Sequence, residues 1–221
     1  MKTIKNKDNQ LRINEIFFSI QGESSYAGLP CVFVRLTYCN LRCSYCDTEY
    51  AFYEGDWRNF DEIIHEIKKY NCNLVEITGG EPLLQENVLP FMSHLCDEGF
   101  NVLIETAGHM SIEHVDKRVK RIMDIKCPSS NESHKMYWSN MEYLNHNDQV
   151  KFVIGNIEDY LFTKKVIAKY NLDKKCTILL SPVFAKLQAQ DLAEWILKDN
   201  LPVRMQLQMH KFIWQPERRG V

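Results

Sequence analysis

Short apolar runs alternate with helix-forming segments along most of the chain. Eight apolar runs have the length of strands: residues 13–20, 32–37, 74–78, 102–106, 121–125, 150–154, 177–180 and 203–209. Four segments with apolar residues on one helical face predict helices: residues 60–70, 87–98, 157–170 and 189–199. Short strands that alternate with helices are typical of parallel β/α units. The pattern therefore predicts an α/β fold, with too few units for a closed eightfold barrel and enough for an incomplete β/α barrel.

Three cysteines follow the second apolar run. Cys39, Cys43 and Cys46 form a Cys-x-x-x-Cys-x-x-Cys triplet. Ligands of β/α barrels collect at the carboxyl ends of the strands, so we expect the triplet at the ligand-binding end. Three thiolates on one loop can hold three corners of an iron–sulfur cluster and leave one iron open. A structural zinc site is the alternative, although zinc sites usually add a second Cys or His pair and no second Cys-x-x-Cys follows here.

Length and composition narrow the kinds of partner. The chain has 221 residues and 45% hydrophobic content, which suits a single domain over residues 1–221. A formal charge of −2 gives no basic field for nucleic acid, so we expect a small-molecule substrate. No run approaches the roughly 20 apolar residues of a membrane span, and residues 1–7 lack the apolar core of a signal peptide. Eight cysteines without secretion predict a cytoplasmic protein.

Two further motifs end apolar runs. Residues 78–82 read Thr-Gly-Gly-Glu-Pro, where glycines let the backbone approach a ligand closely, although a plain turn would read the same way. Residues 20–23 read Ile-Gln-Gly-Glu. Gln21 offers both a donor and an acceptor, and the Glu23 carboxylate can accept two parallel N–H bonds. That pair suits a pterin or guanine edge, with a polar β-turn as the alternative.

These motifs together resemble those of a known family. The triplet and the Gly-Gly-Glu-Pro stretch are similar to those of radical S-adenosylmethionine (SAM) enzymes. With Gln21, Arg35, Thr48 and residues 105–108 and 208–214, they resemble in order the 7-carboxy-7-deazaguanine synthases of queuosine biosynthesis. The resemblance implies a partial β/α barrel of the radical SAM type with the C-terminal tail packed over the active site. It also implies a lyase that contracts 6-carboxy-5,6,7,8-tetrahydropterin to 7-carboxy-7-deazaguanine and ammonia.

The resemblance also implies roles for individual residues. Cys39, Cys43 and Cys46 are expected to hold a 4Fe–4S cluster to which SAM binds, and Thr48 is expected to bind Mg²⁺. The expected SAM contacts are Tyr45, Cys46, Asp47, Gly80, Asp124, Ile125, Lys126, Ser181, Pro182, Val183 and Phe184. The expected substrate contacts are Ile20, Gln21, Gly22, Arg35, Thr78 and Val221. A homodimer and an external electron donor such as a flavodoxin are implied as well.

Simpler interpretations stay open for some of these residues. Arg35 could form a surface salt bridge, and Thr48 could cap a helix. Asp124 and Lys126 could form an exposed ion pair, and Glu105 could face either the SAM ribose or the core. Two other functions also stay open for the whole chain. One is a glycyl-radical activating enzyme, which shares the triplet and the Gly-Gly-Glu-Pro stretch, and the other is a non-catalytic iron–sulfur or zinc-binding module.

Overall fold

The computed structural model describes residues 9–221, so residues 1–7, where no signal peptide is expected, lie outside it. Its strands are β1 (Gln10–Ile20), β2 (Pro30–Leu36), β3 (Asp56–Asn59), β4 (Leu74–Gly79), β5 (Asn101–Thr106), β6 (Lys120–Asp124), β7 (Gln149–Ile154), β8 (Thr177–Pro182) and β9 (Arg204–Met205). Its α-helices are α1 (Phe60–Lys69), α2 (Val88–Asp97), α3 (Ile157–Tyr170), α4 (Ala189–Asp199) and α5 (His210–Ile213). Short 3-10 helices cover Glu49–Phe52, Pro82–Leu84, Pro128–Ser130, Ser133–Lys135, Trp138–Glu142 and Leu172–Lys174.

All nine strands belong to one sheet in the order β3-β1-β2-β4-β5-β6-β7-β8-β9. β1 pairs antiparallel with β2 and β3, whereas every neighbouring pair from β2 and β4 onward is parallel. The edge strands β3 and β9 do not pair with each other within residues 9–221, so the sheet stays open. This topology confirms the predicted α/β fold and the incomplete β/α barrel.

Alternation along the strands gives the sheet two different faces. On β2, Val32, Val34 and Leu36 are fully buried in the main core with the helices, whereas Phe33 and Arg35 point to the opposite, inner face. Helices α1 to α4 turn their apolar sides to the same main core. Burying one such aliphatic side chain contributes roughly 1.5–3 kcal/mol. The outer face therefore stabilises the fold, and the inner face is left for polar side chains.

The loop after β1 curls the sheet around its inner face. Within residues 21–29, the Ser25 amide donates to Gln149 Oε1 at 2.8 Å, and Glu23 Oε2 lies 3.0 Å from Lys151 Nζ. Gln149 and Lys151 belong to β7, which four strands separate from β1. A flat sheet could not bring these two strands within contact of one loop, so the inner face is concave and encloses space.

Parts of the chain differ from the predicted elements. The sequence does not predict β3, because its four residues at the sheet edge, three of them polar, show no apolar alternation. The predicted strand at 203–209 is reduced to the two residues of β9, and the chain then turns into α5. The links from β5 to β6 and from β6 to β7 contain turns or 3-10 helices and no α-helix. None of the helices within residues 9–221 is long and apolar enough to cross a membrane.

Candidate active site

A cavity of about 510 Å³ opens on the concave face at the carboxyl ends of the strands. Its wall combines the ends of the inner strands, the loop after β2 and the C-terminal segment. The predicted site residues that line it are Ile20, Gln21, Gly22, Arg35, Cys39, Cys43, Tyr45, Cys46, Asp47, Thr48, Thr78, Gly80, Asp124, Lys126, Val183, Phe184 and Val221. The predicted SAM contacts Ile125, Ser181 and Pro182 do not line it and are buried behind the wall.

The three cysteines of the triplet lie on the loop after β2 and face the cavity as free thiols. Burial raises the pKa of all three, that of Cys43 to about 11, so a metal that binds them must displace their protons. No three His, Cys, Asp or Glu side chains within residues 9–221 converge on a point that one metal ion could occupy. All three thiols line the same cavity from one loop. Three thiolates on one loop can bind three irons of a cluster, so these residues fit a 4Fe–4S cluster.

The Gly-Gly-Glu-Pro turn packs its backbone against the triplet loop. Gly79 has a φ of +140°, which side-chain-bearing residues rarely adopt. A Cβ on Gly80 would lie 2.7 Å from the Cβ of Cys39. The amide of Glu81 donates to the carbonyl oxygen of Tyr38 at 2.8 Å. Any side chain at position 80 would therefore push the triplet loop outward.

Two buried side chains, Glu81 and His109, lie behind the triplet loop. The Glu81 carboxylate accepts bonds from two backbone amides and from the Thr106 hydroxyl at 2.9 Å. His109 Nδ1 lies 3.6 Å from Glu81 Oε2, and His109 Nε2 lies 2.5 Å from Oδ1 of Asn40, the neighbour of Cys39. Burial lowers the pKa of His109 to about 4, so its ring is neutral at neutral pH. Sequence reasoning missed His109 because no local pattern marks it.

Asp124 and Lys126 face the cavity at the end of β6. Their charged atoms lie 2.8 Å apart, and their side chains are only 16% and 13% exposed, so the pair is not the exposed one that the sequence left open. Asp124 Oδ1 and the Tyr45 hydroxyl are buried and have no hydrogen-bond partner among the described residues. Buried polar groups normally have partners. This wall therefore fits a ligand with amino, carboxylate and hydroxyl groups, as SAM has.

Arg35 reaches the cavity from β2. Its Nε donates to Glu15 Oε1 at 2.7 Å, and the Tyr50 hydroxyl donates to the same oxygen at 2.9 Å. The guanidinium lies over the rings of Phe17 and Tyr50, at 5.5 and 5.8 Å from their centroids. Within residues 9–221, its two terminal nitrogens donate no hydrogen bond. Arg35 thus forms a salt bridge, yet it keeps the two parallel donors that a carboxylate ligand needs.

The C-terminal segment forms part of the cavity wall. Residues 216–221 line it, including Val221. The Arg219 guanidinium stacks 3.8 Å from the centroid of the Tyr50 ring and lies 3.2 Å from Glu54 Oε2. Upstream, the Met209 amide donates to the carbonyl oxygen of Gly22 at 3.0 Å. These contacts join the C-terminal segment to the loop after β1, which carries three of the expected substrate contacts, and to the segment that follows Thr48.

Thr48 and Asp47 stand together at the end of the triplet loop. The Thr48 hydroxyl donates to Asp47 Oδ1 at 2.9 Å, and Lys211 donates to Asp47 Oδ2 at 2.7 Å. Burial alone would raise the pKa of Asp47, but the Lys211 charge and these bonds lower it to about 2, so the carboxylate is ionised. Thr48 precedes the 3-10 helix Glu49–Phe52 without capping it through its side chain. Magnesium binding by Thr48 stays a prediction.

Two charged residues of the cavity received no role from the sequence. Glu76 on β4 accepts a hydrogen bond from Gln21 Nε2, and Lys151 on β7 lies 3.0 Å from Glu23 and 3.3 Å from Glu105. Glu105 faces the cavity rather than the core. In the sequence, Glu76 and Lys151 are each the one charged residue of an apolar strand, which could have marked them as candidates. Which residues such a side chain faces becomes known only from the register of its strand in the sheet.

Comparisons with known proteins show which family the chain belongs to. The sequence model of the radical SAM superfamily matches residues 34–180. The 7-carboxy-7-deazaguanine synthase of Koribacter versatilis is 46% identical over 226 residues, which cover 96% of this chain and 100% of that protein. The enzyme of the same name from Chlorobaculum tepidum is 48% identical over 214 residues, covering 96% and 97%. The crystal structure of QueE from Escherichia coli, at 23% identity, has a similar fold with a TM-score of 0.77 over 91% of this chain and 95% of that one.

The superfamily match and the open β/α barrel define a radical SAM enzyme. That class carries a 4Fe–4S cluster and SAM as its cofactors. Within it, the near-complete matches to two relatives above 45% identity show that the chain belongs to the 7-carboxy-7-deazaguanine synthase family. The family predicted from the motifs is therefore confirmed. The comparisons decide against both an activating enzyme for glycyl radicals and a zinc-binding module.

Proposed function

We propose that the protein converts 6-carboxy-5,6,7,8-tetrahydropterin to 7-carboxy-7-deazaguanine and ammonia, as a carbon–nitrogen lyase of queuosine and 7-deazapurine biosynthesis. The observation that carries the proposal is that one cavity combines the cysteine triplet with groups suited to a carboxylated pterin. Substrate and products contain the same atoms, so the conversion needs no net oxidant. When bound, the cluster and SAM supply an adenosyl radical that takes a hydrogen atom from the substrate and later returns it.

The chain's own residues would hold the cofactors on one wall. Cys39, Cys43 and Cys46 would bind the cluster, which leaves one iron for the amino and carboxylate groups of SAM. Lys126 would pair with the SAM carboxylate, and the unpartnered Asp124 Oδ1 would accept from an amino or hydroxyl group. Further contacts from Tyr45, Asp47, Gly80, Val183 and Phe184 would complete the cofactor side, and the buried Ile125, Ser181 and Pro182 would act through backbone groups or by packing.

The opposite wall would hold the substrate. The free terminal nitrogens of Arg35 would grip the substrate carboxylate through two parallel bonds. Gln21, Thr78 and the backbone of Ile20 and Gly22 would contact the ring system. The tail that ends at Val221 would close the mouth and exclude water, which protects a reactive radical from side reactions.

Several partners belong to the same proposal. Mg²⁺ would bind the Thr48 hydroxyl together with substrate oxygens and water, since Mg²⁺ keeps few protein ligands. A homodimer and a flavodoxin-type electron donor rest on the family alone. A cytoplasmic location is supported by the eight cysteines, all of which are free thiols.

The test is turnover by the anaerobically reconstituted enzyme. With SAM, a strong reductant, Mg²⁺ and 6-carboxytetrahydropterin, we expect 7-carboxy-7-deazaguanine and ammonia in equal amounts, with many turnovers per SAM. Mass spectrometry and an ammonia assay measure both products. A Cys39→Ala variant, which should lose the cluster, serves as the control. Cleavage of SAM without any deazapurine would refute the proposed substrate.

A further inference from the structure

One carboxyl group in the cavity forms no ion pair with another described residue. Glu76 faces the cavity from the middle of β4 and is 2% exposed. The only hydrogen-bond partner of its carboxyl group among the described residues is the side-chain amide of Gln21. Burial raises the pKa of Glu76 well above its usual range, the Glu105 charge adds to that shift, and the more distant Lys151 and Arg35 charges oppose it only in part. A buried carboxyl that contacts no counter-ion is costly, which points to a ligand group as its partner.

The neighbouring carboxylates are already paired. Glu23 lies 3.0 Å from Lys151 Nζ and also accepts from Gln208 Nε2 at 3.1 Å. Glu105 lies 3.3 Å from the same Lys151 nitrogen. One ammonium therefore serves two carboxylates, and the third acidic group, Glu76, is left with a neutral amide. The cavity thus has an excess of hydrogen-bond acceptors at this point.

The side chain of Gln21 is largely occupied by the protein. Its Oε1 accepts the backbone amide of Glu23 at 2.8 Å, and this contact fixes the amide so that Nε2 points at Glu76. Gln21 thereby orients Glu76 Oε2, while Glu76 Oε1 accepts no bond from the described residues. The acceptor available to a ligand in this corner is therefore the Glu76 carboxyl rather than the Gln21 oxygen.

We propose that Glu76 is a specificity-determining binding residue that accepts a hydrogen bond from the exocyclic 2-amino group of the substrate's pyrimidine ring. This inference rests on the proposed function, which supplies a ligand with such an amino group. Ionised, the carboxylate matches the 2-amino group and the adjacent ring N–H, which are two parallel donors. Protonated, it still accepts from the amino group and donates to the neighbouring ring nitrogen. Arg35 grips the carboxylate of the same ligand, so the two groups together set its orientation in the cavity.

The test replaces the acceptor at position 76 with a donor, and the 2-amino donor of the ligand with an acceptor. Equilibrium binding to the reconstituted enzyme with SAM is measured by ligand fluorescence, for 6-carboxypterin and for 6-carboxylumazine, which has an oxo group in place of the 2-amino group. In a Glu76→Gln variant, the new amide oxygen must face Gln21 Nε2, so its NH₂ group faces the ligand. We expect the wild type to prefer the pterin by about 100-fold or more. We expect Glu76→Gln to weaken pterin binding about 10- to 100-fold and to abolish or reverse the preference.

Two further variants separate binding from folding. Glu76→Asp keeps the carboxyl group but withdraws it, so it should weaken pterin binding and retain the preference. Ser19→Ala is the matched control, because Ser19 is buried two residues before Gln21, does not line the cavity and has a hydroxyl without a hydrogen-bond partner among residues 9–221. It should change neither affinity. An unchanged pterin preference in Glu76→Gln, or wild-type pterin affinity in Glu76→Asp, would overturn the role of Glu76. A wild type that binds neither ligand would instead overturn the proposed function.

Discussion

Replacing Gly80 with alanine tests how closely the Gly-Gly-Glu-Pro turn supports the triplet loop. The added Cβ would lie 2.6 Å from the carbonyl carbon of Tyr38 and 2.7 Å from the Cβ of Cys39. Ordinary contacts begin at 3.4 Å, so the loop must move by about 0.8 Å or more. The obstacle is backbone on one side and a cluster ligand on the other, so a rotamer change cannot relieve it.

Gly80→Ala should lower cluster content and activity more than it lowers the stability of the fold. Overpacking of this kind destabilises a fold by about 1–3 kcal/mol, and a misplacement near 1 Å can lower activity about 100-fold. We expect Gly80→Ala to fold, to retain less than the full iron content after reconstitution, and to form deoxyadenosine at about 1% of the wild-type rate. Iron analysis, visible absorbance and product chromatography measure these effects.

A second glycine provides the control. Gly99 follows α2 with a φ of +87°, and apart from its chain neighbours no described residue lies within 4 Å of an added Cβ. Gly99→Ala should cost about 1–2 kcal/mol of stability through backbone strain and leave iron content and specific activity unchanged. A Gly80→Ala enzyme with full iron content and the wild-type rate would refute the argument that this turn positions the loop.

Three more predictions concern single side chains. The pKa of His109 falls from 6.5 to about 4 on folding, so the unfolded chain binds the proton more readily, and this group should cost up to about 3 kcal/mol of stability as the pH drops from 6.5 to 4. His109→Asn should remove that part of the pH dependence, which is measured as the difference in the free energy of unfolding by urea between pH 7.5 and pH 5. A variant that loses as much stability as the wild type over this range would contradict the prediction. Arg35→Ala should weaken carboxypterin binding by about 2–5 kcal/mol with SAM cleavage in the absence of substrate preserved, and unchanged binding would reject the carboxylate role. Arg219→Ala should raise KM a few-fold, since an exposed stack on Tyr50 contributes about 0.5–1 kcal/mol. The control Arg118→Ala, which changes an exposed arginine outside the cavity, should leave KM unchanged. A wild-type KM in Arg219→Ala would show that the tail takes no part in substrate binding.

The fold was predictable where the sequence repeats a clear period. The apolar cores of β2, β4 and β7, and the helical face of α1, gave the elements to within a few residues because each is fixed by its own burial pattern. β3 could not be predicted, because it is a strand through its hydrogen bonds to β1 and has no burial pattern of its own. The apolar pattern of residues 203–209 predicts one strand, although only β9 pairs with β8 before the chain turns across the cavity.

The site was predictable only where its chemistry is local in sequence. The cysteine triplet and the Gly-Gly-Glu-Pro turn each lie within a few residues, so spacing alone reveals them. Glu76, Lys151 and His109 come from different strands and loops, and each is unremarkable in its own segment. Register across the sheet places Arg35 beside Thr78, and only the curl of the sheet brings β7 to the loop after β1. Long-range contacts of this kind leave no signature in a single sequence.

The most direct test of the account is an anaerobic crystal structure of the enzyme with its cluster, SAM and 6-carboxypterin. We predict three irons bound by Cys39, Cys43 and Cys46, a fourth bound by SAM alone, and the pterin carboxylate on Arg35 in the same cavity. A fourth protein ligand on the cluster, or a pterin bound outside this cavity, would contradict the central claim that one chamber brings an open iron and the substrate together.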